Sequence, residues 1–261
     1  MNVTSSKSDM QNNVEIIADK DSYIVINKPA GIVVNKVETQ HALTIQDWIE
    51  NGLNKSILQK LKDSSDPVIQ EFVSRGGVVH RLDKETSGLL ILAKNPDSFA
   101  YLKNQFKEGL VEKTYSALAH GNVVPREGEI SIPIGRLPWN RVRFGVLADG
   151  REATTFYKVV QYYELLAEKK KYPLTFLEAY PKTGRTHQIR VHMQHLGFPL
   201  FGDELYAGRK QSRVDRRILS RHFLHASRLS FIPPGESEKV VYASELPEDL
   251  QNVLGMIRLL E

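Results

Sequence analysis

Asp83 stands between two cations, Arg81 and Lys84, in the run HRLDKETSGLLILAK at residues 80–94, where Thr86, Ser87 and Gly88 form a turn ahead of an apolar stretch at 89–93. A charged, turn-rich segment feeding a buried strand is expensive to build unless its charges serve a site. The plainer reading is a loop with surface ion pairs, which contribute little. Two further stretches place reactive side chains at regular spacing. Residues 113–121 alternate so that Tyr115, Ala117 and Ala119 share a strand face, the alanines leaving room beside the phenol. Residues 183–197 have helical spacing, with Thr186 as N-cap, Gly197 as stop and Ile189, Met193 and Leu196 on the inward stripe. His187, Arg190 and Gln194 fall on a different, shared face of that helix.

Several chemistries find no support in the residues. His187, His192 and His195 are spread round the helix, and no HExxH pattern or nearby carboxylate completes a ligand set, so no metal site is expected. There is no cysteine, which excludes disulfides, thiolate zinc sites and cysteine nucleophiles and fits a reducing compartment. No Walker loop, GxGxxG fingerprint or internal repeat is present, so no nucleotide cofactor is expected. No apolar run could span a bilayer and the polar N-terminus lacks a signal-peptide core, which points to a cytoplasmic protein. A net charge of +4 over 261 residues favours a polyanionic partner, though alone it is a weak signal.

The elements that must position these groups follow in chain order. Residues 1–13 are polar and aperiodic and are expected to be a disordered tail, leaving 14–261 as the folded domain. The β-rich runs 14–19 and 23–27, with a further run at 32–34 beyond the Lys28-Pro29-Ala30-Gly31 turn, suggest antiparallel strands. Lys28 is either a cation facing the site or RNA, or a solvated turn lysine. Residues 43–72 read as helical. Asn95 and Pro96 open another helix, with Phe99, Leu102 and Phe106 on its buried face and Gly109 at its end. Residues 128–150 mix Arg136, Arg141 and Arg143 with Trp139 and Phe144, a combination that either holds a nucleic-acid backbone and stacks bases or forms a solvated hairpin. Residues 151–160 and 174–180 read as strands. The basic run 209–228 is either a solvated face or a phosphate-tracking surface. Many strands with scattered helices and no regular βαβ alternation give an α+β class with a largely antiparallel sheet.

Three strings together carry a resemblance. HRLD followed by TSGL at residues 80–89, GRTHQIRVH at 184–192 and LGFPLFGDELY at 196–206 resemble the motifs of the RluA-type RNA pseudouridine synthases. The Lys-Pro-Ala-Gly turn, the KxYxA strand at 113–117 and the ending LHASRLSFIPP then SELPEDLQNVLGMIRL are similar to the same family. The resemblance covers most of the chain from Val14 to Arg258, and residues 43–72 depart most from the pattern. It implies two subdomains around a catalytic cleft, sharing one sheet, and an isomerase that converts uridine in structured RNA (rRNA or tRNA) to pseudouridine.

That reaction detaches the base at N1–C1′, turns it and reattaches it through C5, and nothing is oxidised or hydrolysed, so no cofactor is expected. The resemblance assigns Asp83 as nucleophile, Arg190 as the cation beside it, Tyr115 as a group lying against the base and Arg81 as the residue that holds the target nucleotide out of its stack. Lys28, Arg185 and His187 are the further RNA-binding candidates. A carboxylate must be ionised to attack, and a guanidinium that forks two hydrogen bonds keeps it so where lysine does not. Family members with an S4-type RNA-binding domain carry it ahead of the catalytic domain, and the short stretch before Val14 leads us to expect a stand-alone, monomeric catalytic domain. The alternative is a non-catalytic RNA-binding protein using the same basic cleft, which would tolerate change at Asp83 and Tyr115.

Overall fold

The computed structural model describes residues 14–36, 42–167 and 169–260. The expected tail at 1–13 lies outside the described residues. The chain divides into two compact units, one of Met1–Val111 with Leu229–Ser244, the other of Glu112–Arg228 with Glu245–Glu261. Every strand pairing resolved residue by residue within them is antiparallel, and with the helices below this is an α+β fold.

The first unit is built on β1 (Glu15–Asp19), β2 (Tyr23–Lys28) and β3 (Ser87–Ala93), paired antiparallel in that order. All seven residues of β3 are buried, which explains why its sequence is an apolar run and not an alternation. The β1–β2 connection is the short 20–22 turn, and Ile32, Val33 and Val34 are not a strand. Instead the Val33 and Val34 carbonyls accept from Ile45 and Gln46 N. β3 also begins earlier than expected: Ser87 and Gly88 belong to the strand, Gly88 opposite Lys28, and the turn falls at Lys84–Glu85.

Residues 43–72 form helices as their periodicity predicts: α1 (Ile45–Asn51), α2 (Lys55–Leu61) and α3 (Pro67–Arg75). Thr44 and Asp47 make a reciprocal capping box on α1. Asp66 caps α3, with Pro67 at its first position, and Gly76 closes it in the left-handed conformation (φ 62°). Phe72 is fully buried and packs edge-on against Phe99 of α4 (Pro96–Lys107), so these helices belong to the core. Asn54 joins them to the sheet: its buried amide donates to the carbonyls of Gly76 (3.0 Å) and Ala93 (2.9 Å). Gly77, at φ 95°, passes so close to β3 that a Cβ there would sit 2.2 Å from the Ala93 oxygen.

In the second unit β4 (Glu112–His120) pairs with β9 (Lys170–Pro181), β9 with β8 (Thr154–Ala167), and β5 (Glu127–Ser131) and β12 (Arg258–Leu259) with β8, while β6 (Ile134–Arg136) and β7 (Phe144–Val146) form a separate hairpin. A bulge between Val159 and Gln161 shifts the register of β8. Its odd-numbered residues therefore change face: Tyr157 and Val159 pack with Ala117, Ala119, Leu177 and Ala179, whereas Tyr163 and Leu165 pack with Leu118, Leu174 and Phe223. One face is covered by α5 (Gln188–His195) through Ile189 and Met193, the other by α7 (Glu248–Met256) through Leu250 and Val253. Between them in sequence lie α6 (Arg209–Asp215) and β10 (Leu224–Phe231), which carries the chain back into the first unit, where β11 (Val240–Ala243) follows. Leu196 is 37% accessible and outside the buried cluster, so the buried stripe of α5 ends at Met193.

The basic run 209–228 is not one solvated face. Arg221 is buried and forks onto Asp249 (2.6 and 3.0 Å), while Arg209, Lys210, Arg213 and Arg217 remain exposed.

Replacing Asn54 with alanine leaves the Gly76 and Ala93 oxygens buried without that donor. Urea unfolding is expected to show a loss of about 1–3 kcal/mol, with Phe72→Ala, which opens a cavity, costing about 3–5 kcal/mol.

Candidate active site

In the first unit the segment carrying Asp83 is held by its neighbours. The Ile91 N–H donates to His80 Nε2 (3.0 Å), and the His80 ring stacks on Phe106 with centroids 4.3 Å apart. Leu82 points into the core, Arg81 and Lys84 are exposed, and Asp83 is half-buried between them. Thr86 N donates to the Asp83 carbonyl (3.1 Å) and Gly31 N to the Lys84 carbonyl (2.8 Å). Local sequence thus sends alternate side chains inward and outward round a pinned backbone.

Lys28 corrects the sequence reading. It is fully buried, neither a solvated turn lysine nor a surface cation for RNA, and its ammonium donates to the carbonyls of Pro29 (2.8 Å), Ile32 (3.0 Å) and Lys84 (3.2 Å). A buried ammonium is tolerable only with such partners. Its effect is to tie the Pro29–Ile32 turn to the residue following Asp83.

In the second unit Tyr115 lies half-buried on β4, packed against the cluster that contains Ala117 and Ala119, as the alternation requires. Two residues earlier stands Lys113, the lysine of the KxYxA string, to which the sequence reading gives no role. Burial, reinforced by the Lys182 cation, pushes its ammonium down to about 8.

Arg190 is buried, and its guanidinium is forked onto a carboxylate of its own unit, Asp203: Nε to Oδ2 at 2.7 Å and Nη2 to Oδ1 at 2.9 Å. Asp203 is wholly inaccessible and also accepts from the backbone N–H groups of Leu205 (3.1 Å) and Tyr206 (3.2 Å). The Tyr206 ring lies under the Arg190 guanidinium at 5.0 Å, and its hydroxyl is 2.9 Å from His187 Nδ1 and accepts from Phe144 N at 3.1 Å. Neither Asp203 nor Tyr206 was among the predicted residues. The available signal is that both fall within the string LGFPLFGDELY, one of those that carry the family resemblance.

His187, not Thr186, caps α5, in the left-handed conformation (φ 57°) and without a side-chain cap bond. Gln188 takes over the local bonding, its Oε1 accepting from Thr183 Oγ1 (2.7 Å) and Arg185 N (2.9 Å). Arg185 donates through Nε to the Glu152 carbonyl (2.9 Å) and stays partly exposed. His192 is not on the surface: it is buried between Thr155 Oγ1 (2.9 Å) and the Ile132 carbonyl (3.3 Å), and burial holds its imidazole below the usual range. Among the described residues no three His, Asp or Glu side chains are grouped to hold a metal, and no helix is long and apolar enough to cross a membrane. Chemically the two units offer a carboxylate on a pinned backbone and, separately, a tyrosine, a lysine of lowered basicity and an oriented guanidinium.

These residues lie within a region that known proteins share. Residues 22–195 match the family model described as RNA pseudouridylate synthase. The chain is 36% identical over 253 residues to the ribosomal large subunit pseudouridine synthase D of Neisseria meningitidis, covering 94% of this chain but only 62% of that protein. It is 38% identical over 244 residues to an uncharacterised RNA pseudouridine synthase of Aquifex aeolicus, covering 92% of this chain and 72% of the relative. Among solved structures, the human RNA pseudouridylate synthase domain-containing protein 1 is similar in fold, with a TM-score of 0.67 at 25% identity, over 95% of this chain and 89% of that one. With sequence match and fold in agreement over most of its length, the chain belongs to the RNA pseudouridylate synthase family.

Proposed function

We propose that the protein isomerises specific uridines in RNA to pseudouridine, with Asp83 as nucleophile, Arg190 as the cation that keeps it ionised and Tyr115 as the group managing the C5 proton. The observation that carries this reading is that Asp83, Tyr115 and Arg190 all fall within residues 22–195, which match the RNA pseudouridylate synthase family model, and the buried fork of Arg190 onto Asp203 supports it by fixing the direction of the guanidinium. Rigid, charge-bearing side chains held before the substrate arrives are what a reaction on a tethered base needs. The pinned segment from His80 to Thr86 supports the same role for Asp83, since a nucleophile on a wandering loop loses its effective concentration.

The base must leave C1′, rotate and return while held, so the site has to exclude water and retain free uracil. The exposed Arg81, beside the nucleophile, is the residue assigned to hold the everted nucleotide. Arg185 and His187 contribute to RNA contact at the mouth of α5, His187 from its position against Tyr206. The substrate class is structured ribosomal or transfer RNA, and the name of the Neisseria relative favours large-subunit ribosomal RNA. The enzyme acts as a cytoplasmic monomer.

Asp83→Asn removes the nucleophile with little change of shape. Release of tritium from C5-labelled uridine in RNA is expected to fall at least about a thousandfold while RNA affinity stays within about threefold; wild-type turnover in that variant would refute the assignment. Arg190→Lys keeps the charge but loses the fork, and turnover is expected to drop about a hundredfold. Asp203→Asn leaves Arg190 buried without its carboxylate and is expected to cost about 3–5 kcal/mol in urea unfolding as well as activity.

A further inference from the structure

The hairpin β6–β7 and the helix that carries Arg190 meet at one side chain. Between the two strands of the hairpin lies a tip at residues 137–143, where Trp139 (77% accessible) and Val142 (69%) face solvent and Arg141 is also exposed. An apolar ring and a cation displayed together at an exposed turn have no packing role in the folded protein and suit contact with a polyanion that also offers stacking faces.

The base of the hairpin is fastened differently. Phe144 N donates to the Tyr206 hydroxyl (3.1 Å), the Phe144 ring meets His187 edge-on at 5.5 Å, and Arg136 lies over the Phe144 ring at 4.8 Å. The Arg143 guanidinium sits over the Tyr206 ring at 5.3 Å, and its buried Nε has no hydrogen-bond partner among the described residues. From the other direction, the Tyr206 ring lies under Arg190, the Tyr206 N–H donates to Asp203, and the hydroxyl is bonded to His187, whose left-handed backbone starts α5 three residues ahead of Arg190. A non-glycine residue at positive φ relies on its surroundings to hold it, and Tyr206 and Phe144 are among those of His187.

Resting on the pseudouridine synthase reading above, we infer that Tyr206 is a positioning residue that anchors two things at once, the exposed RNA-contacting hairpin through its hydroxyl and the guanidinium of Arg190 through its ring. Its two ends do separable work. The hydroxyl fixes the hairpin base and His187, so it governs how well the hairpin meets RNA. The ring supports the guanidinium, so it governs the chemical step.

The experiment is steady-state tritium release from C5-tritiated RNA prepared from cells lacking this gene, on the wild type, Tyr206→Phe, Tyr206→Leu, Trp139→Ala and the double variant Trp139→Ala/Tyr206→Phe. Tyr206→Phe is expected to raise KM about five- to tenfold with kcat within about twofold, and Tyr206→Leu to lower kcat by at least a further tenfold or so. Trp139→Ala is expected to raise KM, and the double variant to be no worse than the worse single, because both act through one hairpin. A Tyr206→Phe enzyme with wild-type KM or a loss confined to kcat, a Tyr206→Leu enzyme that loses no more kcat than Tyr206→Phe, or a double variant whose KM effects multiply would overturn this double anchoring. Should Tyr206→Leu fail to fold, the conservative variant and the double-mutant cycle still decide the matter. If the wild type releases no tritium, the isomerase reading fails, and filter binding of the same RNA by the same variants tests the hairpin anchor by itself, with the same non-additivity expected in Kd.

Discussion

A guanidinium taken out of water has to be given its charge and hydrogen bonds back, and in the second unit Asp203 does so for Arg190. The carboxylate is no freer than the cation, since the Leu205 and Tyr206 N–H groups of its own turn bond it as well. The helix bearing Arg190 and the turn bearing Asp203 are therefore tied together by the ion pair. Arginine suits the position because its planar fork meets both carboxylate oxygens at once, which fixes direction as well as distance.

The first unit solves a similar problem with a lysine. Lys28 is buried at the end of β2, and its ammonium gathers carbonyls from the following turn and from Lys84. Backbone oxygens have replaced water, and the two segments so joined are the turn after β2 and the connection that carries Asp83. In each unit a buried cation serves to hold backbone in place beside a group with a proposed chemical role. The cost of burying charge is recovered as rigidity where positional error would be most damaging.

Scaffold and site are joined by less conspicuous devices as well. Asn54 links the helices of residues 45–75 to the carbonyl at the end of β3, and Phe72 brings them into the core, so this region is structurally integral. In the second unit the bulge at Val159–Gln161 lets one long strand supply apolar residues to both faces of the sheet, and α5 rests on one of those faces. Had β8 kept a single register, Leu165 would face the wrong layer.

Periodicity and local capping chemistry were enough to place most elements. The alternation at 113–121, the apolar run before Lys94, the Asn95-Pro96 helix start and the helical spacing of residues 43–72 depend on neighbours within a few positions, so they are written in the chain itself. The motif strings likewise sufficed to suggest the family. What only the tertiary structure decided were partnerships between distant residues. Lys28 is buried because the 84 carbonyl folds over it, His192 because Thr155 and Ile132 enclose it, and Arg190 meets a carboxylate thirteen positions away that no local pattern pairs with it. A buried charge or a hub such as Tyr206 is defined by what surrounds it in space, and spacing along one element carries no information about that.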